Sequence, residues 1–244
     1  MAFVWARQAF NRQLSLNDMK SNFVSSVSHE LRAPIASVRL MAESLERGKI
    51  SEPAKQNEYF RFIGQECRRL SSLIENVLDF ARLEQGRAAY EFTAADLGTT
   101  VRRDVEAFRF RAHRERPALV TEIAEGIAPV RLDARALQVL LFNLLDNAFK
   151  YAGDTDAVFV RARQEGSRAI LEVEDRGPGI DPDDARKIFE RFYRGRAVRS
   201  GGPRGTGIGL SLVQHIARAH GGDVTVHPAT PSGTVFRVAI PVAR

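Results

Sequence analysis

Five short clusters of this sequence carry side chains that can do chemistry. In chain order they are His29-Glu30, Asn143 with Asn147, Asp175 with Gly177 and Gly179, Phe189 to Phe192, and Gly205 with Gly207 and Gly209. An imidazole is a nucleophile near neutral pH because much of it is unprotonated. Amide oxygens, a carboxylate and glycine-rich turns are groups that bind Mg²⁺ and nucleotides. The clusters therefore predict a nucleotide pocket with its metal, and a histidine able to take a phosphoryl group.

His29 is predicted to face solvent. It lies two residues from Val27 and from Leu31, which belong to an apolar stripe of helical period. At about 100° per residue, its ring points away from that stripe. Glu30 can hold one ring nitrogen protonated and leave the other free to attack, and Pro34 is expected to bend the helix after the pair. The alternative is an ordinary surface histidine, which is the commoner role of one exposed helical imidazole.

Asn143 and Asn147 lie four residues apart and so share one face of a predicted helix. Lys150 and Tyr151 follow one turn later. Amide oxygens can ligate Mg²⁺ and a lysine can offer its charge to phosphates. Two incidental asparagines on an amphipathic helix are the alternative, but these polar residues interrupt an intensely apolar run.

Asp175 is predicted to end a strand just before two glycines. Its carboxylate can accept a hydrogen bond from the exocyclic amine of adenine, while glycine lets the backbone approach the ring. Gly205–Gly209 runs into a helix, whose first N–H groups favour phosphate. That cluster fits neither the dinucleotide fingerprint nor a P-loop. Between the two sites, several arginines are expected to close over the phosphates: Arg191, Arg194, Arg196, Arg199 and Arg204.

Composition excludes some classes of protein. The chain has 244 residues, a formal net charge of +6 and one cysteine, Cys67, so it forms no intrachain disulfide. Its basic residues are scattered rather than interleaved with aromatics, which argues against nucleic-acid binding. No run approaches the roughly 20 apolar residues of a membrane helix. The start, MAFVWARQAF, is interpreted either as the cut end of a membrane-anchored or signalling helix or as a frayed helix start.

The periodicity divides the chain in two. Helices are predicted over about 8–48 and 54–83, ended by Gly48 and Gly86, and they form a hairpin whose apolar stripes are only half covered. Pairing two hairpins into a four-helix bundle would bury both stripes, so we expect a homodimer.

The second half is predicted to place helices over one face of a mixed sheet, as an α/β sandwich. Asp133 is predicted to cap an apolar helix, and Asp181 with Pro182 to open a short one. The helices are expected at 95–114, 134–151, 182–191 and 210–220, and the strands at 119–123, 157–164, 168–174, 223–227 and 234–240.

Taken together, the clusters resemble the catalytic core of sensor histidine kinases of two-component systems. SHELRAP resembles the H box, NLLDNAFKY the N box, EDRGPGI the G1 box, IFERFYRG the F box and GTGIGL the G2 box. The resemblance implies a helical lead-in over 1–14, a dimerisation and phosphotransfer hairpin over 15–86, and an ATP-binding domain of the GHKL (Bergerat) type over 87–244.

The resemblance also implies residue roles. His29 would be the phosphoacceptor, Glu30 its base and Asn147 the Mg²⁺ ligand. Asp175 would contact adenine, and Arg191 would meet the terminal phosphate. The nucleotide set implied is Asn143, Asn147, Lys150, Tyr151, Asp175, Gly177, Gly179, Arg191, Gly205, Thr206, Gly207, Ile208, Gly209, Leu210 and Thr234.

By this resemblance the chain is expected to phosphorylate itself with Mg·ATP and to pass the group to an aspartate of a response regulator. GHKL enzymes that hydrolyse ATP carry a glutamate where this chain has Asn143, and an amide is a poor base for activating water. Ala33 stands where bifunctional members carry Thr or Asn, which predicts weak phosphatase activity. The alternatives are an ATP-hydrolysing clamp and a nucleotide-sensing scaffold. We expect a cytoplasmic location, as a free protein or as the cytoplasmic part of an inner-membrane receptor.

Overall fold

Two compact units make up the chain. The computed structural model describes residues 2–84, 89–112, 117–152, 157–195 and 205–243. One unit consists of residues 1–87 and 204–208, and the other of residues 88–203 and 209–244. The predicted stop at Gly86 and the arginines at 196, 199 and 204 lie outside the described residues. Within the described part of the chain, no helix is both long and apolar enough to cross a bilayer.

The first unit is a helical hairpin of α1 (Ala2–Glu46) and α2 (Pro53–Glu84). Gly48 ends α1 with a φ of +64°, a conformation that suits glycine. The amide of Gly48 donates to the carbonyl of Leu45 at 3.0 Å, and that of Lys49 donates to Ser44 at 3.1 Å. These two bonds satisfy carbonyls that the helix end leaves open, so the predicted stop at Gly48 is confirmed.

One hairpin leaves large apolar side chains in water. They are Val24, Ile35, Leu40, Phe60, Ile74 and Leu78, of which Leu40 is the most exposed at 66%. Their burial would require a partner surface, because exposed apolar area of this extent is unfavourable.

The second unit is built on a five-stranded sheet of order β2-β4-β5-β7-β6. The strands are β2 (Ala118–Ile123), β4 (Ala157–Glu165), β5 (Arg168–Asp175), β6 (Asp223–Pro228) and β7 (Thr234–Pro241). β2 is parallel to β4, whereas the other neighbours are antiparallel. A separate antiparallel pair joins β1 (Thr93–Ala95) to β3 (Val130–Leu132), a small sheet that sequence analysis missed.

The helices among the described residues of this unit are α3 (Leu97–Ala112), α4 (Ala134–Tyr151) and α5 (Gly209–Ala219). The core lies where their apolar faces pack on the sheet. Leu140, Leu144 and Val160 are fully buried there. β4 alternates buried with half-exposed residues along most of its length, and its outward-facing Arg163 pairs with Glu172 of β5 at 2.6 Å. The expected α/β sandwich, with helices on one face of a mixed sheet, is confirmed.

The predicted short helix after Asp181 is wrong. Residues 182–189 form consecutive turns. The carbonyl of Asp181 accepts two amides, at 2.9 and 3.1 Å, and that of Asp184 accepts two more, at 2.8 and 3.0 Å. A regular helix would instead use each successive carbonyl once. The buried carboxylate of Asp184 also accepts the hydroxyl of Tyr193 at 2.6 Å, which fixes the chain in this tighter path.

Candidate active site

His29 lies on α1 with its side chain exposed to solvent. Ala33, one turn later, is half-buried, and Pro34 is buried although α1 continues through it. The hydroxyl of Ser28, beside His29, donates to the carbonyl of Val24 at 2.8 Å and so is occupied within the helix. The imidazole is therefore presented to water on a helix, as an attacking group must be.

Glu30 differs sharply from its neighbour. Its side chain is only 11% exposed, and its carboxylate lies 3.4 Å from the guanidinium of Arg69 on α2. Arg69 also reaches Glu66 of its own helix at 3.4 Å. In the described residues, the hydrogen-bonding partner of Glu30 is thus Arg69 rather than His29. Sequence reasoning missed Arg69, because 39 residues separate it from Glu30 and no local pattern marks it.

In the second unit, α4 begins at a cap and carries the predicted asparagines. Asp133 accepts the amide of Ala136 at 2.9 Å, which confirms the predicted N-cap. Asn143 is 8% exposed, and its amide nitrogen donates to the carbonyl of Val139 at 2.8 Å. That bond fixes the side chain so that its oxygen points to the start of α5. Asn147, one turn further, is half-buried.

The start of α5 approaches Asn143 very closely. A Cβ added at Gly209 would lie 2.7 Å from the amide oxygen of Asn143, a separation that real Cβ atoms essentially never show. Glycine is therefore required here by the approach of a side chain rather than by its backbone angles. The same end of α4 carries Lys150, whose ammonium lies 5.3 Å from the ring centroid of Tyr151.

Asp175 is the centre of a second group of contacts. It is 4% exposed, and its carboxylate accepts the amide of Gly177 at 2.8 Å. It pairs in register with Thr234 of β7, whose amide also donates to the carboxylate. A Cβ at Gly177 would lie 2.6 Å from the backbone oxygen of Tyr151. The structure therefore brings together four residues that the sequence predicted for the site. They are Tyr151 at the end of α4, Asp175, Gly177 and Thr234.

Gly233 belongs to this group and was missed by sequence reasoning. A Cβ there would lie 1.9 Å from the carbonyl oxygen of Asp175, and its φ is +115°. The signal available was the Ser-Gly-Thr turn that leads into β7, which marks a turn without indicating what approaches it.

Burial raises the pKa of Asp175, and this effect exceeds the lowering by the amides of Gly177 and Thr234. A carboxyl with a raised pKa in the folded state stabilises the fold below its unfolded pKa and loses that contribution as pH rises through the folded pKa. At neutral pH the ionised carboxylate thus costs folding free energy. A buried acid kept at such a cost is a candidate for binding a ligand.

The turn segment 182–192 positions Arg191, which is exposed. Phe192 has a φ of +64°, an unusual conformation for a residue with a side chain. Phe189 is buried and packs edge-on against Phe236 of β7 at 6.3 Å between centroids. Desolvation and then the charge of Arg191 lower the pKa of His215 on α5, so the guanidinium lies near that helix.

The glycine-rich cluster divides at the start of α5. Gly209 and Leu210 begin that helix in the second unit, whereas Gly205, Thr206, Gly207 and Ile208 are grouped with the first unit. Gly207 has a φ of +72°. The membership of residues 205–208 in the pocket therefore stays a prediction. Gly179, at a φ of +79°, ends the turn that Asp175 begins.

Two protein-family models match the sequence of this chain. The His Kinase A (phospho-acceptor) domain matches residues 19–86, and the histidine kinase-, DNA gyrase B- and HSP90-like ATPase domain matches residues 132–244. The mycobacterial sensor histidine kinase MprB is 31% identical in a solved structure with a TM-score of 0.51, and the match covers 62% of this chain and 97% of that one. The chain belongs to the sensor histidine kinases of two-component systems.

Other members extend the similarity along nearly the whole chain. Full-length ShkA, solved in complex with AMPPNP, is 28% identical with a TM-score of 0.61, over 90% of this chain and 45% of that one. The sensor protein SrrB of Staphylococcus aureus is 29% identical over 230 residues. That match covers 93% of this chain but 39% of SrrB, so the chain spans well under half the length of such a sensor protein.

Replacing Gly209 by alanine is expected to weaken ATP binding by about 5- to 100-fold. The added methyl group must displace the amide of Asn143, and overpacking of this kind costs about 1–3 kcal/mol. Isothermal titration with a non-hydrolysable ATP analogue measures the effect. The matched control is Gly64→Ala on α2, where the methyl would meet a flexible Arg68 nitrogen at 3.4 Å. Equal affinities in the two variants would contradict a role for the Gly209–Asn143 contact.

Proposed function

We propose that this chain binds Mg·ATP in its second unit, transfers the γ-phosphoryl group to His29, and donates it to an aspartate of a response regulator. The observation that carries the proposal is the solvent-facing imidazole of His29 on the helical hairpin of a chain that also has the kinase ATPase domain. The two units must meet during the transfer, either within one subunit or between two.

The chemistry is one displacement at phosphorus. A ring nitrogen of His29 forms the N–P bond as the bond from the γ-phosphorus to the bridging oxygen breaks, and ADP leaves. The proton on the other ring nitrogen passes to Glu30, which returns the ring to neutrality. Positioning and charge neutralisation supply most of the rate in such transfers.

The nucleotide would be held by the contacts around Asp175 and at the end of α4. The carboxylate of Asp175 would accept the exocyclic amine of adenine, with Gly177 allowing close approach. Asn147 offers an amide oxygen, a donor type that Mg²⁺ accepts beside phosphate oxygens and waters. The metal would neutralise phosphate charge, while Asn143 and Arg191 would bind phosphate oxygens from the protein side.

Asn143 supports kinase activity over ATP hydrolysis. Its amide donates to a backbone carbonyl and is uncharged, so it is a poor general base for water. The terminal phosphate should then be retained until an imidazole attacks it. An ATP-hydrolysing clamp would release phosphate steadily without labelled protein, and a nucleotide-sensing scaffold would bind ATP and transfer nothing.

Dimerisation through the hairpin is part of the proposal. The exposed apolar side chains of α1 and α2, of which Leu40 and Phe60 are the most exposed, need a partner surface, and a second hairpin completes a four-helix bundle.

The reaction would take place in the cytoplasm, where receiver domains are phosphorylated. Incubation with γ-labelled ATP tests the whole proposal: acid-labile label on the protein supports it, and steady phosphate release without label would replace it with hydrolysis.

Ala33 leads to a prediction about dephosphorylation. It lies one turn after His29 and has no polar atom to orient water. Replacing Ala33 by threonine should raise dephosphorylation of the phosphorylated partner about tenfold or more, because an oriented hydroxyl aligns water for attack. The measurement is release of phosphate from the labelled receiver with ADP present. Ala33→Val, which adds the same bulk without the hydroxyl, should stay as slow as the parent; strong phosphatase activity of the parent itself would refute the reasoning.

A further inference from the structure

We propose that Arg69 is a positioning residue for phosphorylation of His29, acting by holding the carboxylate of Glu30 in place. The inference rests on the roles proposed above for His29 and Glu30. The observation that supports it is that the guanidinium of Arg69 on α2 lies 3.4 Å from the carboxylate of Glu30 on α1.

The contact has an unusual position among the ion pairs of the hairpin. Those formed by Arg39, Arg47, Lys55 and Arg82 join residues three or four apart on one helix or turn and are largely exposed. Among the described hairpin residues, the pair of Arg69 with Glu30 is the one that joins α1 to α2. Exposed pairs within one helix contribute little to stability. The pair of Arg69 with Glu30 differs from them because it joins the two helices and involves the residue beside His29.

Burial of the two acids gives Arg69 its importance. The side chains of Glu30 and Glu66 are 11% and 12% exposed, and each lies 3.4 Å from a different nitrogen of Arg69. A carboxylate withdrawn from water needs a charged or hydrogen-bonded partner. One guanidinium therefore serves both acids, and Glu66 in turn fixes the Arg69 side chain from its own helix.

The consequence for the reaction follows from what a base must do. Glu30 can take the ring proton of His29 only while its carboxylate is held within reach of the ring. The contact with Arg69 limits the directions in which that carboxylate can turn. The charged groups that face Glu30 in the described hairpin are Arg69 and, through it, Glu66, with the imidazole of His29 adjacent on α1. Loss of the guanidinium would leave a carboxylate with more freedom to turn away from the ring.

The test compares Arg69→Gln and Arg69→Lys with Arg68→Ala, a change to the neighbouring exposed arginine. The measurement is the rate of label incorporation at neutral pH over a series of ATP concentrations, which gives kcat and KM separately. Arg69→Gln should be about tenfold slower at neutral pH, with an unchanged KM for ATP. Arg69→Lys keeps the charge and should recover most of the rate, and Arg68→Ala should match the parent.

Two outcomes would overturn the inference. One is an Arg69→Gln variant as fast as the parent. The other is equal slowing in the Gln and Lys variants, which would assign Arg69 a purely structural role. Glu30→Gln separates this inference from the proposed function. A fast Glu30→Gln variant would refute the base itself, whereas a slow Glu30→Gln variant beside a fast Arg69→Gln variant would refute only the part played by Arg69.

Discussion

Replacing His29 by glutamine should abolish phosphoryl incorporation from γ-labelled ATP and leave ATP binding unchanged. Glutamine is close in size and polarity but has no nucleophilic ring nitrogen, so no N–P bond can form. The exposed position of His29 means that the substitution removes no packing. The measurement is acid-labile label on the purified protein, with analogue binding followed by calorimetry. Incorporation should fall below detection, which is the largest effect expected of any single change in the hairpin.

His227→Gln supplies the matched control. His227 is an exposed histidine on β6 that lies 2.9 Å from the hydroxyl of Thr225, so it also offers a ring nitrogen near the surface. Its replacement should leave incorporation as in the parent. Label that persists in the His29 variant and disappears from the His227 variant would move the phosphoacceptor to the sheet and refute the proposal.

Local signals predicted the elements of this chain well, because each depends on a few neighbouring residues. Gly48 ends α1 because it adopts a left-handed conformation, and Asp133 begins α4 because its carboxylate caps the first amides. A run as apolar as that of α4 has to be buried wherever the chain places it. The residues of the candidate site came from the same local patterns, and Asp175 with Gly177 is a contact between residues two apart.

Contacts between distant residues were beyond such reasoning. Arg69 meets Glu30 across the hairpin, and the backbone of Gly233, in the turn before β7, lies close to the carbonyl of Asp175. Both depend on strand or helix pairing, which one sequence does not specify. The pair Asp181-Pro182 predicts a helix, because Asp followed by Pro is a typical helix start. The segment forms turns instead, because the buried carboxylate of Asp184 accepts the hydroxyl of Tyr193. That bond joins residues nine apart, so no local pattern indicates it.

His220 illustrates how much a buried side chain can organise without any sequence signal. It lies just after α5, is 6% exposed, and its Nε2 accepts the amide of Asp133 at 3.0 Å. Its Nδ1 lies 2.7 Å from the carbonyl of Ile216, which makes Nδ1 the protonated nitrogen. The rings of Tyr90 and Phe92 pack against it at 6.1 and 5.1 Å between centroids. One histidine thus joins the start of α4, the end of α5 and the segment before β1.

Replacing Asp175 by asparagine is expected to lower ATP affinity by about 10- to 100-fold without lowering the unfolding temperature of the ATP-free protein. A hydrogen bond that involves a charged group is worth about 1.5–3 kcal/mol. Asparagine is uncharged, so its hydrogen bond to adenine would be weaker than that of the carboxylate. Burial raises the pKa of Asp175, so its carboxylate costs folding free energy at neutral pH, and a neutral amide removes that cost. Binding and stability therefore respond differently to one substitution, as calorimetry with an ATP analogue and thermal unfolding would measure.

Asp104→Asn is the control for this change, because burial also raises the pKa of Asp104 and its Oδ2 lacks a hydrogen-bond partner among the described residues. Asp104 lies on α3, with Arg103 and Gln138 as its partners, and is fully buried. Its replacement should leave ATP affinity unchanged, since none of its contacts reaches the group around Asp175.

Since the pKa of Asp175 is raised, ATP affinity of the parent should also decline on acidification at a higher pH than for an ordinary aspartate, and Asp175→Asn should lose that decline. An asparagine variant that binds ATP like the parent, or that loses binding and unfolding temperature together, would show that Asp175 supports the fold and does not recognise the nucleotide.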